Sequence, residues 1–223
     1  MTDPNVVTVI GGTGDEGFGL AARWASAGME VIIGSRDVGR AQGAADRLRD
    51  LVPSARVKGL ENPEAAAASD AVVVTVPFAG QALIYRSIAQ SIREDAVVVD
   101  CTVPVATAVG GRVTHTLGVW QGSAAQQASS LLDRGVLCAA FHTLAASALA
   151  EIDTAMEGDV LACGPREAKE VVRELVEAIS GLRLIDAGPL ENARIVEPLT
   201  ALLIGINRRY KTDRAGIRIT GLP

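Results

Sequence analysis

The stretch Val6-Val7-Thr8-Val9-Ile10-Gly11-Gly12-Thr13-Gly14-Asp15-Glu16-Gly17 decides the fold. Its five β-branched residues predict a strand, and a G-x-G-x-x-G follows at once, opening an Ala/Leu-rich stretch over 19–27 that reads as a helix. Glycines are common in turns, so the pattern alone is weak; between a strand and a helix, inside a βαβ unit, it is a dinucleotide-binding signature. In that reading Gly12 permits the tight turn, Gly14 lets the backbone approach a pyrophosphate, and Gly17 lets the helix pack close to the strand. Thr13, Asp15 and Glu16 complete the loop, and the helix start offers free N–H groups and a partial positive charge.

Working outward, short apolar runs alternate with longer helical ones. Strands are expected at 31–33, 56–58, 71–76 and 96–99, with helices over Val38–Leu51, from Asn62-Pro63, and over 80–92. Runs apolar at every position imply strands covered on both faces, hence an α/β fold of Rossmann type: a doubly wound, mostly parallel sheet with helices on each side. The rhythm breaks at 102–122, a glycine-containing segment too long for an ordinary connection and therefore read as site-lining. A helix over 123–134, strands at 136–141, 160–163 and 182–185, and helices over 165–180 and 191–209 follow, with a loop or short helix up to Glu151. The 223 residues exceed the roughly 100–150 of a typical domain, so a dinucleotide-binding domain over 1–143 and a smaller C-terminal α/β part over 144–223, closing over the cofactor cleft, are expected.

Which dinucleotide is bound is set where the second strand ends. An NAD site would place an acid there for the ribose 2′-hydroxyl, whereas this chain reads Gly34-Ser35-Arg36, with Arg40 one helical turn on. A hydroxyl and guanidinium groups suit a 2′-phosphate, which favours NADP; the neighbouring Asp37 could take the acidic role if the strand end is shifted. Thr75-Val76-Pro77-Phe78 and Asp100-Cys101-Thr102-Val103-Pro104 end later strands at the same sheet edge, where ligands bind in open α/β folds. Phe78 suits stacking on a base or packing in a helix equally, and the backbone near Val103 could reach the nicotinamide ribose. Of two histidines, His115 lies in the long loop and reads as a solvated surface residue, while His142 follows a buried strand and opens His142-Thr143-Leu144-Ala145-Ala146 at the nucleotide edge.

Composition narrows the partners. A net charge of −5 gives no field to collect nucleic acid, and no apolar run approaches the roughly 20 residues of a membrane helix. Met1 to Asn5 carry no basic leader, and Cys101, Cys138 and Cys163 stand in separate apolar runs without a metal-ligand spacing. These features predict a cytoplasmic protein with buried thiols, no metal, and small-molecule partners. The apolar 199–206 makes a homodimer plausible. No Tyr-x-x-x-Lys pair and no Gly-x-Ser-x-Gly elbow supply a proton donor or nucleophile. Hydride exchange between two coenzymes, which needs stacking and alignment more than acid–base chemistry, fits that lack. A reductase of a small carbonyl or imine and a non-catalytic NADP sensor remain open on the residues alone.

Gly11-Gly12-Thr13-Gly14, Gly34-Ser35-Arg36, Thr75-Val76-Pro77, His142-Thr143, Gly181-Leu182-Arg183 and Asp186-Ala187-Gly188-Pro189-Leu190, with the following 191–200, together resemble the NADPH:coenzyme F420 oxidoreductases nearly end to end. The resemblance implies hydride transfer between NADP(H) and coenzyme F420, an 8-hydroxy-5-deazaflavin. By position it implies that Thr13, Gly14, Asp15, Glu16, Ser35, Arg36, Arg40, Val76, Val103 and Ala146 hold NADP. His142, Thr143 and Leu144 would lie against the deazaflavin, His142 or Thr143 orienting it, with Ser123 and Ala124 nearby. The chain departs from the family at Phe78 and Ala145, where members carry Trp and Pro. A basic tail, Arg208-Arg209-Tyr210-Lys211 to Arg218, reads either as helix-end charge on a solvated terminus or as a dock for the deazaflavin's phosphate and oligoglutamate.

Overall fold

The computed structural model describes residues 6–222; Met1 to Asn5, on which the lack of a leader was read, and Pro223 lie outside the described residues. Strands β1 (Val6–Ile10), β2 (Glu30–Ser35), β3 (Arg56–Glu61), β4 (Ala71–Val74), β5 (Val97–Asp100) and β6 (Val136–Ala139) form one parallel sheet in the order β3-β2-β1-β4-β5-β6. Val9 stands opposite Ile33 on one side and Val73 on the other, an apolar row across the sheet's centre. The order reverses between β1 and β4, and that reversal opens a crevice at the carboxyl edge.

One face of the sheet is covered by α1 (Asp15–Ser26), α2 (Val38–Leu51) and α7 (Arg166–Glu177). The other is covered by α3 (Asn62–Ala67), α4 (Phe78–Ile88), α5 (Ala124–Ser129) and α8 (Ala193–Val196). Trp24 of α1 joins the N-terminal part to the rest: it is fully buried, donates its indole N–H to Leu175 O at 2.8 Å, and meets Phe141 edge to face at 5.8 Å. A second, two-stranded parallel sheet, β7 (Gly158–Ala162) and β8 (Leu182–Asp186), touches the first through a bridge between Ala139 and Cys163. The short α6 (Ala146–Ala150) lies on α1, and α9 (Pro198–Tyr210) ends the ordered helices.

Several elements differ from the expected bounds for local reasons. The helix expected over 123–134 stops at Ser129, because the chain must turn back at Gly135, whose φ of +75° and 2.9 Å approach of a built Cβ to Ala96 O leave no room for a side chain. The helix expected over 80–92 begins two residues earlier, directly behind Pro77, and ends at Ile88. The strand expected at 136–141 ends at Ala139, and Phe141 takes a φ of +68°. The long helix over 191–209 is a 3-10 turn at Leu190–Asn192, then α8, then α9, with Pro198 interrupting the N–H ladder. The segment 102–122 is not featureless: Ala106–Val109 is a 3-10 turn, and Val105 pairs with Thr116.

Candidate functional site

The glycine loop carries the turn one residue earlier than the motif suggests. Gly11, not Gly12, has the left-handed backbone, φ +88°, and donates its N–H to Gly34 O at 3.2 Å. Gly17 has the close-packing role: a Cβ there would collide with Thr75 Oγ1 and stand 2.8 Å from Gly11 O. At Gly14 a Cβ would meet only Gly11 O, at 3.5 Å, so the space above the loop is open. Gly14 caps α1 without a side-chain bond, leaving the leading amides of a twelve-residue helix to a ligand.

At the end of β2, Ser35 is buried and Arg36 and Arg40 are exposed, without an ion pair among the described residues. Asp37 is otherwise engaged, its carboxylate accepting Arg40 N–H at 2.9 Å as the cap of α2. One Asp37 oxygen is thus taken by the helix cap, and two exposed guanidinium groups stand beside a serine.

Between these elements and the C-terminal part lies a cleft of about 350 Å³. Gly14, Asp15, Glu16, Val76, Pro77, Thr102 and Val103 line it from the sheet, His142, Leu144 and Ala146 from the segment after β6, and Thr200 and Ile204 from α9. Phe78 begins α4 and stands outside that lining. Thr143 faces two neighbouring cavities, one of which, about 250 Å³, it shares with His142, Asn207 and Asp213. On the far side of Ala146 a further cavity of about 390 Å³ is walled by Thr13, Phe18, Ser147 and Arg47, whose guanidinium lies 4.3 Å over the Phe18 ring. The cleft thus brings the start of α1, the ends of β4 and β5 and the segment after β6 together, whereas Thr13, Thr143, Phe78 and the Ser35, Arg36 and Arg40 group lie outside its lining, and its second wall comes from residues far along the chain.

His142 is the site's unsatisfied polar group. It is 4% exposed, neither ring nitrogen has a partner among the described residues, and burial lowers its pKa to about 4, so the ring is neutral and offers one donor and one acceptor. Its carbonyl accepts the Thr200 hydroxyl at 2.7 Å. Glu16, at the start of α1, is raised to about 8 by burial, with the charge of Asp100 adding to it. Asp100 is fully buried at the end of β5. It accepts from Gln81 Nε2 at 2.8 Å, Tyr85 OH at 2.7 Å and Thr102 N–H at 2.8 Å, yet burial still lifts it to about 6.

Several residues that hold this site were not read from the sequence. Arg23 of α1, 5% exposed, donates to the carbonyls of Ala148, Leu149, Glu151 and Thr154 at 2.7–3.0 Å and so ties α6, and with it Ala146, to α1. Its only sequence signal is an arginine amid the apolar residues of an amphipathic helix. Asp100 had a signal in its place at a strand's carboxyl end; Gln81, Tyr85 and Glu197 had none. Ser123 and Ala124 are buried and committed to the chain: Ser123 caps α5, and Ala124 N–H binds Glu197. His115 is exposed, and the three cysteines are buried and free. In the tail, Arg214 pairs with Glu151, whereas Arg208, Arg209 and Lys211 are exposed at the end of α9. No metal-holding cluster and no helix long and apolar enough to cross a membrane occur among the described residues.

The family described as NADP oxidoreductase coenzyme F420-dependent matches residues 6–104. The F420-dependent NADP reductase of Methanothermobacter thermautotrophicus is 46% identical over 97% of this chain and 95% of its own length. That of Methanothermobacter marburgensis is 43% identical over 97% and 99%. Among solved structures, a protein from Arthrobacter sp. FB24 superposes with a TM-score of 0.82 at 22% identity, covering 98% of this chain and all of that one, which shows the shared fold.

Proposed function

This chain belongs to the family of F420-dependent NADP reductases, and we propose that the crevice described above is where it exchanges a hydride between NADP(H) and coenzyme F420. The reaction is that of an oxidoreductase acting on two small-molecule coenzymes. The two coenzymes, when bound, would supply between them the hydride donor and the hydride acceptor.

The chain's own part is to bind, align and exclude water. The uncapped start of α1 and the open space over Gly14 fit a pyrophosphate, with Gly12, Thr13, Asp15, Glu16 and Gly17 forming its cradle. Ser35, Arg36 and Arg40 fit a 2′-phosphate, since neither guanidinium has an ion pair among the described residues. Val76, Pro77 and Val103 form the wall beside the nicotinamide, Phe78 standing behind it. Leu144, Ala146 and Ile204 close the cleft with apolar surface, the domain over 1–143 supplying one wall and 144–223 the other. His142 and Thr143 orient the deazaflavin; the observation that carries this reading is His142 in the wall of the cleft, with a buried imidazole whose two nitrogens have no partner among the described residues. No side chain need transfer covalently to either coenzyme.

The exposed Ile195 and Leu202 of α8 and α9 support a homodimer, and three free, buried thiols with a net charge of −5 support a cytoplasmic enzyme without a nucleic-acid partner. Light scattering at assay concentration tests the first. The function is tested by following deazaflavin absorbance after mixing enzyme, NADPH and oxidised F420, with NADH in parallel. Bleaching with NADPH and little with NADH is expected; tight NADPH binding without bleaching would overturn the assignment of the cleft.

A further inference from the structure

Glu197 stands at the joint between α8 and α9, 1% exposed. Its carboxylate grips the start of α5 with both oxygens: Oε2 accepts Ala124 N–H and Oε1 accepts Ala125 N–H, each at 2.9 Å, and Ser123 adds a side-chain hydrogen bond. Three residues on, the Thr200 hydroxyl holds His142 O. The start of α9 is therefore pinned at two points, to α5 and to the strand end that carries His142. Beyond the pins, Thr200 and Ile204 face the cleft, and Leu203 and Asn207 face the cavity adjoining it. A buried carboxylate with two amide donors is a rigid fastening, and losing one oxygen as acceptor would leave a buried N–H unpaired.

We infer that Glu197 is a positioning residue for the deazaflavin half of the site: by gripping the first two amides of α5 it sets where α9 stands over the cleft. The inference rests on the proposed function of the cleft, in which His142 and Thr143 orient the deazaflavin and α9 supplies part of the wall beside them. The glycine loop and the end of β2, where NADP is placed, make no hydrogen bond to Glu197 among the described residues, so its loss should spare NADP binding.

The grip also depends on charge. A carboxylate accepts at both oxygens, whereas a protonated carboxyl keeps one good acceptor. Burial pushes Glu197 up to about 7, and Asp100 on β5 adds repulsion, while the two amides and Ser123 pull the other way. Cys163, just after β7, is the other titratable neighbour; its thiol is pushed up to about 11 and stays neutral. The fastening is thus complete above neutrality and loosens as pH falls through the Glu197 pKa.

The test is the KM for F420 at saturating NADPH, from about pH 6 to about pH 8, in the native enzyme and in Glu197→Gln, together with the Kd for NADPH. In the variant one amide N–H meets the new side-chain N–H instead of an oxygen. We expect Glu197→Gln to raise the KM for F420 about fivefold or more at the upper pH, with the NADPH Kd within about twofold. The native enzyme's KM should rise on acidification more steeply than the variant's. Independently, hydrogen exchange of native 123–129, corrected for intrinsic rates, should lose about tenfold in protection over the same range; this reading decides the matter should the variant not fold. An unchanged KM, identical pH profiles, an equal loss of NADPH affinity or constant protection would each overturn the inference. A native enzyme that does not reduce F420 would instead overturn the functional assignment, and the exchange measurement would still report on the grip.

Discussion

The hydroxyl of Thr200 and the carbonyl of His142, 58 residues apart in sequence, meet at 2.7 Å. The bond fastens a C-terminal helix to the segment after β6, and both residues line the cleft, so the cleft's geometry depends on elements from both parts of the chain.

The NADP half depends on Arg36, exposed beside the buried Ser35 and without an ion pair among the described residues. A charge-assisted bond contributes about 1.5–3 kcal/mol, so Arg36→Ala should weaken NADPH binding roughly ten- to a hundredfold in a fluorescence titration. Unchanged affinity would remove the 2′-phosphate site from this strand end.

Gly17→Ala puts a methyl group into Thr75 Oγ1 and within 2.8 Å of Gly11 O and 3.0 Å of Gly12 Cα. Two of those neighbours are backbone, which cannot rotate aside. Denaturant unfolding should show a loss of about 1–3 kcal/mol or more, together with weaker NADPH binding. Native stability in the variant would mean that α1 is free to move away from β1.

Arg23 satisfies four carbonyls at and beyond the end of α6. Arg23→Met keeps the apolar stem but leaves those oxygens without the guanidinium, so urea unfolding should show a loss of roughly 3 kcal/mol. A change under about 0.5 kcal/mol, as at an ordinary surface site, would contradict the capping role.

Glu16 gives a pH signature. Its folded pKa, about 8, lies above the ordinary carboxylate value, so the folded state holds that proton more tightly than the unfolded chain. The resulting stability is fully present below the unfolded pKa and is lost as pH rises through about 8. Glu16→Gln, which cannot ionise, should therefore have a higher Tm than the native protein near pH 9 and little or no gain near pH 4, by roughly two-state melting. An equal Tm difference at both ends would show that the carboxyl does not titrate in this range.

Arg208, Arg209 and Lys211 end α9 as exposed cations, while Arg214 is taken up by Glu151. Neutralising the first three should raise the KM for F420 and reduce its salt dependence, because the coenzyme carries an anionic tail. The same KM at low and high salt as in the native enzyme would leave these charges with no more than a helix-end role.

The sheet, its parallel order and the nucleotide loop were legible in the sequence because they rest on local chemistry. Val6–Ile10 running into Gly12-x-Gly14-x-x-Gly17 permits few folds, and Ser35 and Arg36 lie at a fixed distance along the same βαβ unit. Within that unit the details still needed coordinates: the left-handed turn residue is Gly11, and Asp37 is spent on a helix cap. The rest of the site was decided by tertiary structure alone. Arg23, Asp100 and Glu197 look unremarkable in their segments; their partners lie on other elements, at carbonyls of 148–154, at Gln81 and Tyr85, and at the amides of 124 and 125. Periodicity reports which face of an element is apolar, whereas a buried polar side chain is explained only by the group it meets, and that group is chosen by the fold.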